Sequence, residues 1–148
     1  MSIWLLLHND GELRLSANFA CCRRLAQSVN RLLRLLVEAF VLPQVPWTAL
    51  QLNKDYASRM HVDSRNIGAS IILALGSWTS GGRLWLHDQH GHDVMEVPNA
   101  MRGTNFQEGD QILGTYHDVR APLVFSGILP HATEPYEGST RFSIVAFS

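Results

Sequence analysis

From Thr48 onward the chain is a succession of short apolar runs, each cut off by glycine or proline. The runs at 48–52, 69–75, 83–87, 94–97, 110–116, 122–125 and 141–147 read as strands. Gly81-Gly82, Gly91, Pro98, Gly103, Gly109, Gly127 and Gly138 punctuate them. Many short strands with regular turns fold as a sandwich, a jelly roll or a barrel.

Before Pro46 the pattern is different. Residues 3–7 and 13–15 read as a hairpin around Asn9-Asp10-Gly11, a turn tripeptide. Cys22, Leu25, Val29, Leu32, Leu33, Leu36 and Phe40 then recur at spacings of three and four, opposite Arg23, Gln27, Arg31, Arg34 and Glu38. That spacing predicts one amphipathic helix of about 20 residues. Ser16 or Asn18 is placed to cap its start, and Pro43 ends it. The expected organisation is a single domain over 1–148, mainly β with one N-terminal helix. Residues 1–46 carry the hairpin and helix, and 47–148 the β body. At 148 residues the chain suits one core.

Composition excludes several classes. Hydrophobic residues at 46% and a net charge of −1 argue against disorder. The longest apolar stretch, 35–42, is broken by Glu38 and stopped by Pro43, well short of a membrane span. The N-terminus lacks the basic region of a signal peptide. Cys21 and Cys22 are adjacent and rarely bridge each other, so no disulfide framework is expected. A reducing intracellular setting, cytoplasmic or nuclear, fits best.

Chemistry concentrates in His61-Val62-Asp63 and His131. Positions i and i+2 of an extended chain face the same way, so His61 and Asp63 can grip one ion together. With His131 they make a facial set of two imidazoles and a carboxylate. Such a set leaves the remaining octahedral positions of Fe(II) open for a cosubstrate and O2. Alone, His-x-Asp is a weak signal that also occurs in surface turns. Arg141 and Ser143 strengthen it. They alternate with apolar Phe142 and Ile144 in the last run, so both point inward, where a guanidinium and a hydroxyl can clamp a carboxylate.

These residues, HVD at 61–63 and HATEPYEGSTRFS at 131–143, resemble the Fe(II)- and 2-oxoglutarate-dependent dioxygenases. In that family H-x-D is followed by a distal histidine and, about ten positions on, a basic residue, often as R-x-S. The resemblance covers roughly 48–148. It implies a double-stranded β-helix, a cupin-like jelly roll closed around the metal. It also implies that His61, Asp63 and His131 are iron ligands and that Arg141 with Ser143 binds the distal carboxylate of 2-oxoglutarate. Asn53 and Tyr56, just before the first ligand, match positions where the family often binds the cosubstrate. The implied reaction consumes 2-oxoglutarate and O2, releases succinate and CO2, and hydroxylates a substrate C–H bond. Ile72, Leu84 and Leu86 are candidate pocket walls. The Gly81-Gly82-x-Leu84 segment matches a family turn.

The segments around HVD and the distal histidine are most similar to the TET/JBP-related and prolyl-hydroxylase-like branches. The first oxidises methylated bases in nucleic acid, the second hydroxylates protein side chains. Arg14, Arg23, Arg24, Arg31 and Arg34 of the N-terminal segment are available to phosphates. They tip the expectation toward nucleic acid over protein, although such arginines are more often a helix's wet face. A cupin-like metalloprotein without oxygenase activity is the rival that keeps the ligands but has no use for the Arg-x-Ser clamp. A binding module without catalysis is a second rival, against which the complete ligand set argues. The His-rich stretch 87–93 reads as a solvated loop, and His8 and His117 as structural or exposed.

Overall fold

The chain forms ten strands and one helix over the residues that this computed structural model describes, 5–7, 13–15 and 23–148. Strands β1 (Leu5–Leu7) and β2 (Leu13–Leu15) pair as the expected hairpin. Its turn, the capping candidates Ser16 and Asn18, and Cys21 and Cys22 lie outside the described residues. Helix α1 (Arg23–Ala39) follows. Then come β3 (Ala49–Lys54), β4 (Ser70–Gly81), β5 (Leu84–His87), β6 (Asp93–Glu96), β7 (Gln111–His117), β8 (Leu123–Phe125), β9 (His131–Thr133) and β10 (Tyr136–Phe147). They build two four-stranded antiparallel sheets, ordered β3-β10-β4-β8 and β6-β7-β5-β9. The chain therefore passes repeatedly from one sheet to the other.

The period of two along each strand divides the first sheet into two faces with different tasks. Leu50, Ile71, Leu73, Ile144 and Ala146 pack against Val29, Leu33 and Val37 of α1. Gln51, Asn53, Ile72, Ser143 and Val145 lie on the opposite face and line a cavity. The register enforces this split: Ser143 pairs with Asn53 on one side and with Ala74 on the other. A one-residue slip would turn the polar residues into the helix interface. The second sheet has its own core on its outer side, built on Met60, Trp85, Val97, Met101 and Ile112. A third cluster, including Trp78, Leu84 and Phe125, fills space between the sheets.

Helix α1 departs from the expected apolar face. Its buried positions are Ala26, Val29, Leu33 and Val37, whereas Leu25, Leu32 and Phe40 are exposed. The apolar arc of the sequence is wider than the strip a flat sheet can cover, and 100° per residue carries Leu25 and Leu32 off its edge. The helix ends before Pro43, as expected. Val41 takes a left-handed φ of 51°. Val41 N–H and Leu42 N–H then donate to the carbonyls of Glu38 and Val37, the pattern that closes many helix C-termini.

All seven expected strands are present, but β4 and β10 are longer than their apolar runs and β9 was not foreseen. Residues 76–81 and 136–140 are rich in Ser, Thr and Gly and largely exposed, so no apolar alternation marks them. They extend as a ribbon in which β10 shifts register at Gly138. β9 is only His-Ala-Thr, with no apolar run at all. Among the described residues no helix is long and apolar enough to cross a membrane.

The two faces of α1 give a direct check. Leu33 is 0% exposed and Leu35 is 54% exposed. Leu33→Ala should cost ~3–5 kcal/mol, because transfer and cavity terms add, while Leu35→Ala should stay within ~0.5 kcal/mol. Urea unfolding of both variants measures this; equal costs would mean that α1 packs through another face.

Candidate metal centre

The segment 58–61 runs antiparallel beside β9. Thr133 N–H donates to Ser58 O at 3.0 Å, and His61 and His131 exchange both backbone hydrogen bonds at 3.0 Å. Met60 is buried in the outer core and Val62 packs against it. Alternation then turns His61 and Asp63 to the inner side, beside His131. The two imidazole rings stand 4.2 Å apart.

Each histidine is oriented by its own backbone. His61 Nδ1 is 2.8 Å from Arg59 O, and His131 Nδ1 is 2.8 Å from Leu129 O. A carbonyl only accepts, so both Nδ1 atoms carry the hydrogen and both Nε2 lone pairs are left bare. This is the arrangement by which proteins fix a histidine for metal binding. Asp63 is held by N–H donation to Gly127 O at 2.8 Å. Its oxygens lie 3.8 Å from His61 Nε2 and 3.7 Å from His131 Nε2. Gly127 permits this approach, since a Cβ there would sit 3.3 Å from Asp63 Oδ2 and 3.0 Å from Asn66 Nδ2.

The donor atoms of His61, Asp63 and His131 all lie within 4.8 Å of one another, and they are the one such group among the described residues. Donors at right angles on a single ion, each ~2.1 Å from it, stand ~3.0 Å apart, so small torsional adjustments close this set. Burial, and then the neighbouring His61, lowers the pKa of His131. A neutral imidazole is the form that ligates. The donor set, two imidazoles and one carboxylate, suits Fe(II) or a related first-row ion.

The three residues share a cavity of about 590 Å³ with Asn53, Tyr56 and Ser143. Ile72, Leu84 and Phe125 supply its apolar wall. Leu86, expected with them, is not part of that lining and packs into the cluster between the sheets. Asn53 Nδ2 donates to Ser143 Oγ at 3.2 Å. Tyr56 is 54% exposed and stands at the mouth.

Arg141 is inward-pointing as expected, only 2% exposed, while Phe142 faces out. It sits beyond the cavity lining, with its guanidinium 5.4 Å from the Trp78 ring and 5.6 Å from the Tyr136 ring. Its Nη2 donates to Gly82 O at 2.9 Å, and its Nε is buried without a hydrogen-bond partner. Asp55 Oδ1 accepts from its backbone N–H at 2.9 Å, but no carboxylate pairs with its guanidinium among the described residues, and burial lowers its pKa. A buried cation without a counter-ion is costly, and it fits an anionic ligand. The expected Gly-Gly turn does more than turn. A Cβ on Gly82 would lie 2.7 Å from Trp78 Nε1 and 3.1 Å from Arg141 Nε, so only glycine leaves this space open.

Two further sets of residues bear on the site. Arg59 lies two residues before His61 in the segment beside β9, and Arg65 lies in the turn after Asp63, where Asn66 N–H donates to Asp63 O. Both are exposed; Arg65 lines the cavity and Arg59 an adjoining recess that reaches His61 and Tyr56. Gln51 lines the cavity two residues before Asn53. The alternation about Asn53 and His61 is a signal that reaches Gln51 and Arg59, while the turn at 64–65 hides Arg65 from it. By contrast Arg24, Arg31 and Arg34 belong to α1, which covers the opposite face of the first sheet from the cavity. Of the stretch 87–93, His87 ends β5 and Asp93 begins β6, and 88–92 form the loop between them; His87 Nδ1 meets Leu113 O and Asp88 Oδ1 accepts from His90 N–H.

No protein family, curated protein or solved structure matches this chain. The site therefore rests on its own geometry.

Asp63→Ala should lower affinity for Fe(II) or Mn(II) by at least ~100-fold, since even outer residues of such sites are worth 10–100-fold. Protons compete for the His131 lone pair, and burial holds its pKa below the usual imidazole value, so wild-type affinity should persist through that usual range and fall only at more acid pH. Calorimetric titration with Mn(II) reads both effects; an Asp63→Ala protein that binds as tightly as wild type would remove Asp63 from the site.

Proposed function

We propose that the chain is an Fe(II)- and 2-oxoglutarate-dependent dioxygenase that hydroxylates a C–H bond. The observation that carries this is the convergence of His61, Asp63 and His131 on one side of a cavity. On the sheet face lining that cavity stands Ser143, and one alternation on, beyond the lining, the buried guanidinium of Arg141, whose Nε has no hydrogen-bond partner. The sheet order supports a double-stranded β-helix: β3, β10, β4 and β8 form one layer, and the 58–61 segment beside β9, β5 and β7 the other.

Fe(II), with 2-oxoglutarate and O2, would supply the oxidation that turns the keto acid into succinate and CO2, with one oxygen atom going to succinate and one to the substrate. The protein's part is to bind and orient. His61, Asp63 and His131 would hold the ion beside the cavity. Arg141 gives the distal carboxylate its counter-charge, and Ser143 a hydrogen bond. Ile72, Leu84 and Phe125 keep water from the reacting carbon.

The substrate that suits the mouth is a nucleobase. Tyr56 offers an exposed ring for stacking, and Arg59 and Arg65 offer charge to phosphates. The base would arrive single-stranded or flipped, since it must reach a recessed ion.

The test is succinate formation from 2-oxoglutarate by Fe(II)-loaded protein, with methylated single-stranded oligonucleotides and with peptide pools. Turnover stimulated by the oligonucleotide is expected. Turnover stimulated by peptide alone would replace the nucleobase with a protein side chain, and metal binding without turnover would favour the cupin-like alternative. Arg141→Ala should keep the metal but weaken 2-oxoglutarate binding about 10- to 150-fold, the value of a charge-assisted contact. Unchanged binding would leave Arg141 a structural role only.

A further inference from the structure

Helix α1 carries two apolar strips, and the first sheet covers one of them. Val29, Leu33 and Val37 pack on the sheet. Leu25, Ser28, Leu32, Leu35 and Ala39 form the second strip, and all five are exposed, Leu25 by 48% and Leu35 by 54%. They follow one another at spacings of three, four, three and four. At 100° per residue they fall within an arc of ~80°, centred ~120° from the buried strip. A mean repeat of 3.5 residues is the seam of a coiled coil, in which 25, 32 and 39 take the a positions and 28 and 35 the d positions.

Charge along one edge of the seam decides what fits it. The g positions are Arg24, Arg31 and Glu38, all exposed. The e positions are Val29 and Leu36, which pack into the core between helix and sheet. Antiparallel helices set a against d and g against g. Laid antiparallel on a second copy, the seam places Leu25 against Leu35 and Leu32 against Ser28, each twice. Arg24 of each copy then faces Glu38 of the other, and the cost is a single approach of Arg31 to Arg31 at the two-fold axis. A parallel pair would stack serine on serine and set Arg24 and Arg31 against apolar Val29 and Leu36. We propose that α1 pairs antiparallel with α1 of a second copy of this chain through the Leu25–Ala39 seam, making a two-fold homodimer. The helix lies on the opposite face of the first sheet from the cavity, so the pairing does not involve the cavity lining and stands apart from the dioxygenase reading. So short a seam makes a weak interface, and unfolding at low protein concentration still reads the monomer, in which Leu35 is exposed.

Sedimentation equilibrium from ~5 to ~500 µM covers the range in which a weak dimer forms by mass action. A concentration-dependent shift from monomer to dimer mass is expected. Leu32→Lys, at an exposed position beside Arg31, should abolish the shift and leave helix content and the unfolding midpoint unchanged. Arg24→Glu and Glu38→Arg should each weaken the dimer at least ~5-fold, because two attractions become two repulsions. Both changes suit the helix dipole, so weaker pairing in them is not loss of the helix. Mixed in equal amounts, these two variants should pair with each other about as tightly as wild type, since one copy is then acidic at both positions and the other basic. A protein monomeric at every concentration would overturn the proposal, and binding of that monomer to vesicles of anionic lipid would assign the seam to a membrane surface instead. A dimer that survives Leu32→Lys would place the interface elsewhere and overturn it too. Failure of the mixed variants to pair would overturn the antiparallel register.

Discussion

The paired backbone hydrogen bonds between His61 and His131 join two segments far apart in the sequence, and the grouping of His61, Asp63 and His131 depends on them. They bring the rings to 4.2 Å. They also set the alternation that buries Met60 and turns His61 and Asp63 inward. The same segments supply the carbonyls of Arg59 and Leu129 that fix both tautomers. A shift of one residue in this pairing would leave the side chains intact and take the lone pairs away from one another. The donor set is thus a property of backbone register before it is a property of three side chains.

The first sheet performs a second division of labour. Its helix-facing side carries Leu50, Ile71, Leu73 and Ile144, which supply cohesion by packing with Leu33 of α1. That frees the other face to carry Asn53, Ser143 and Arg141, buried polar groups that would destabilise a core without partners. Arg141 is tolerated because Trp78 and Tyr136 provide ring faces and Gly82 a carbonyl. Its remaining Nε is the one buried side-chain polar atom left unsatisfied among the described residues. A buried donor left unsatisfied costs stability.

Much of this was legible in the sequence because period-two alternation is a local signal. The strands and the inward direction of Arg141 and Ser143 could be read without long-range information, and the grouping of His61, Asp63 and His131 followed from the motif. The unread parts are those where side chains carry no alternation. The ribbon of β4 and β10 beyond Gly76 has exposed Ser and Thr on both faces, and β9 is three residues long. The width of the helix strip was misjudged because α1 has more leucines than the sheet can cover. The helix arginines suggested phosphate contact, yet only packing could reveal that α1 lies behind the sheet. Arg59 and Gln51, two positions from site residues, become visible only once the chain there is known to be extended, and Arg65 only once the turn after Asp63 is known.

The central claim is that His61, Asp63 and His131 hold one ion from one side and leave the rest of its coordination open. X-ray absorption of the Fe(II)-loaded protein tests it most directly. The account predicts a six-coordinate ion with two imidazole nitrogens and oxygen donors at ~2.0–2.2 Å, one imidazole lost in His131→Ala, and water oxygens replaced when 2-oxoglutarate is added. An iron shell without imidazole, or one unchanged in His131→Ala, would contradict it.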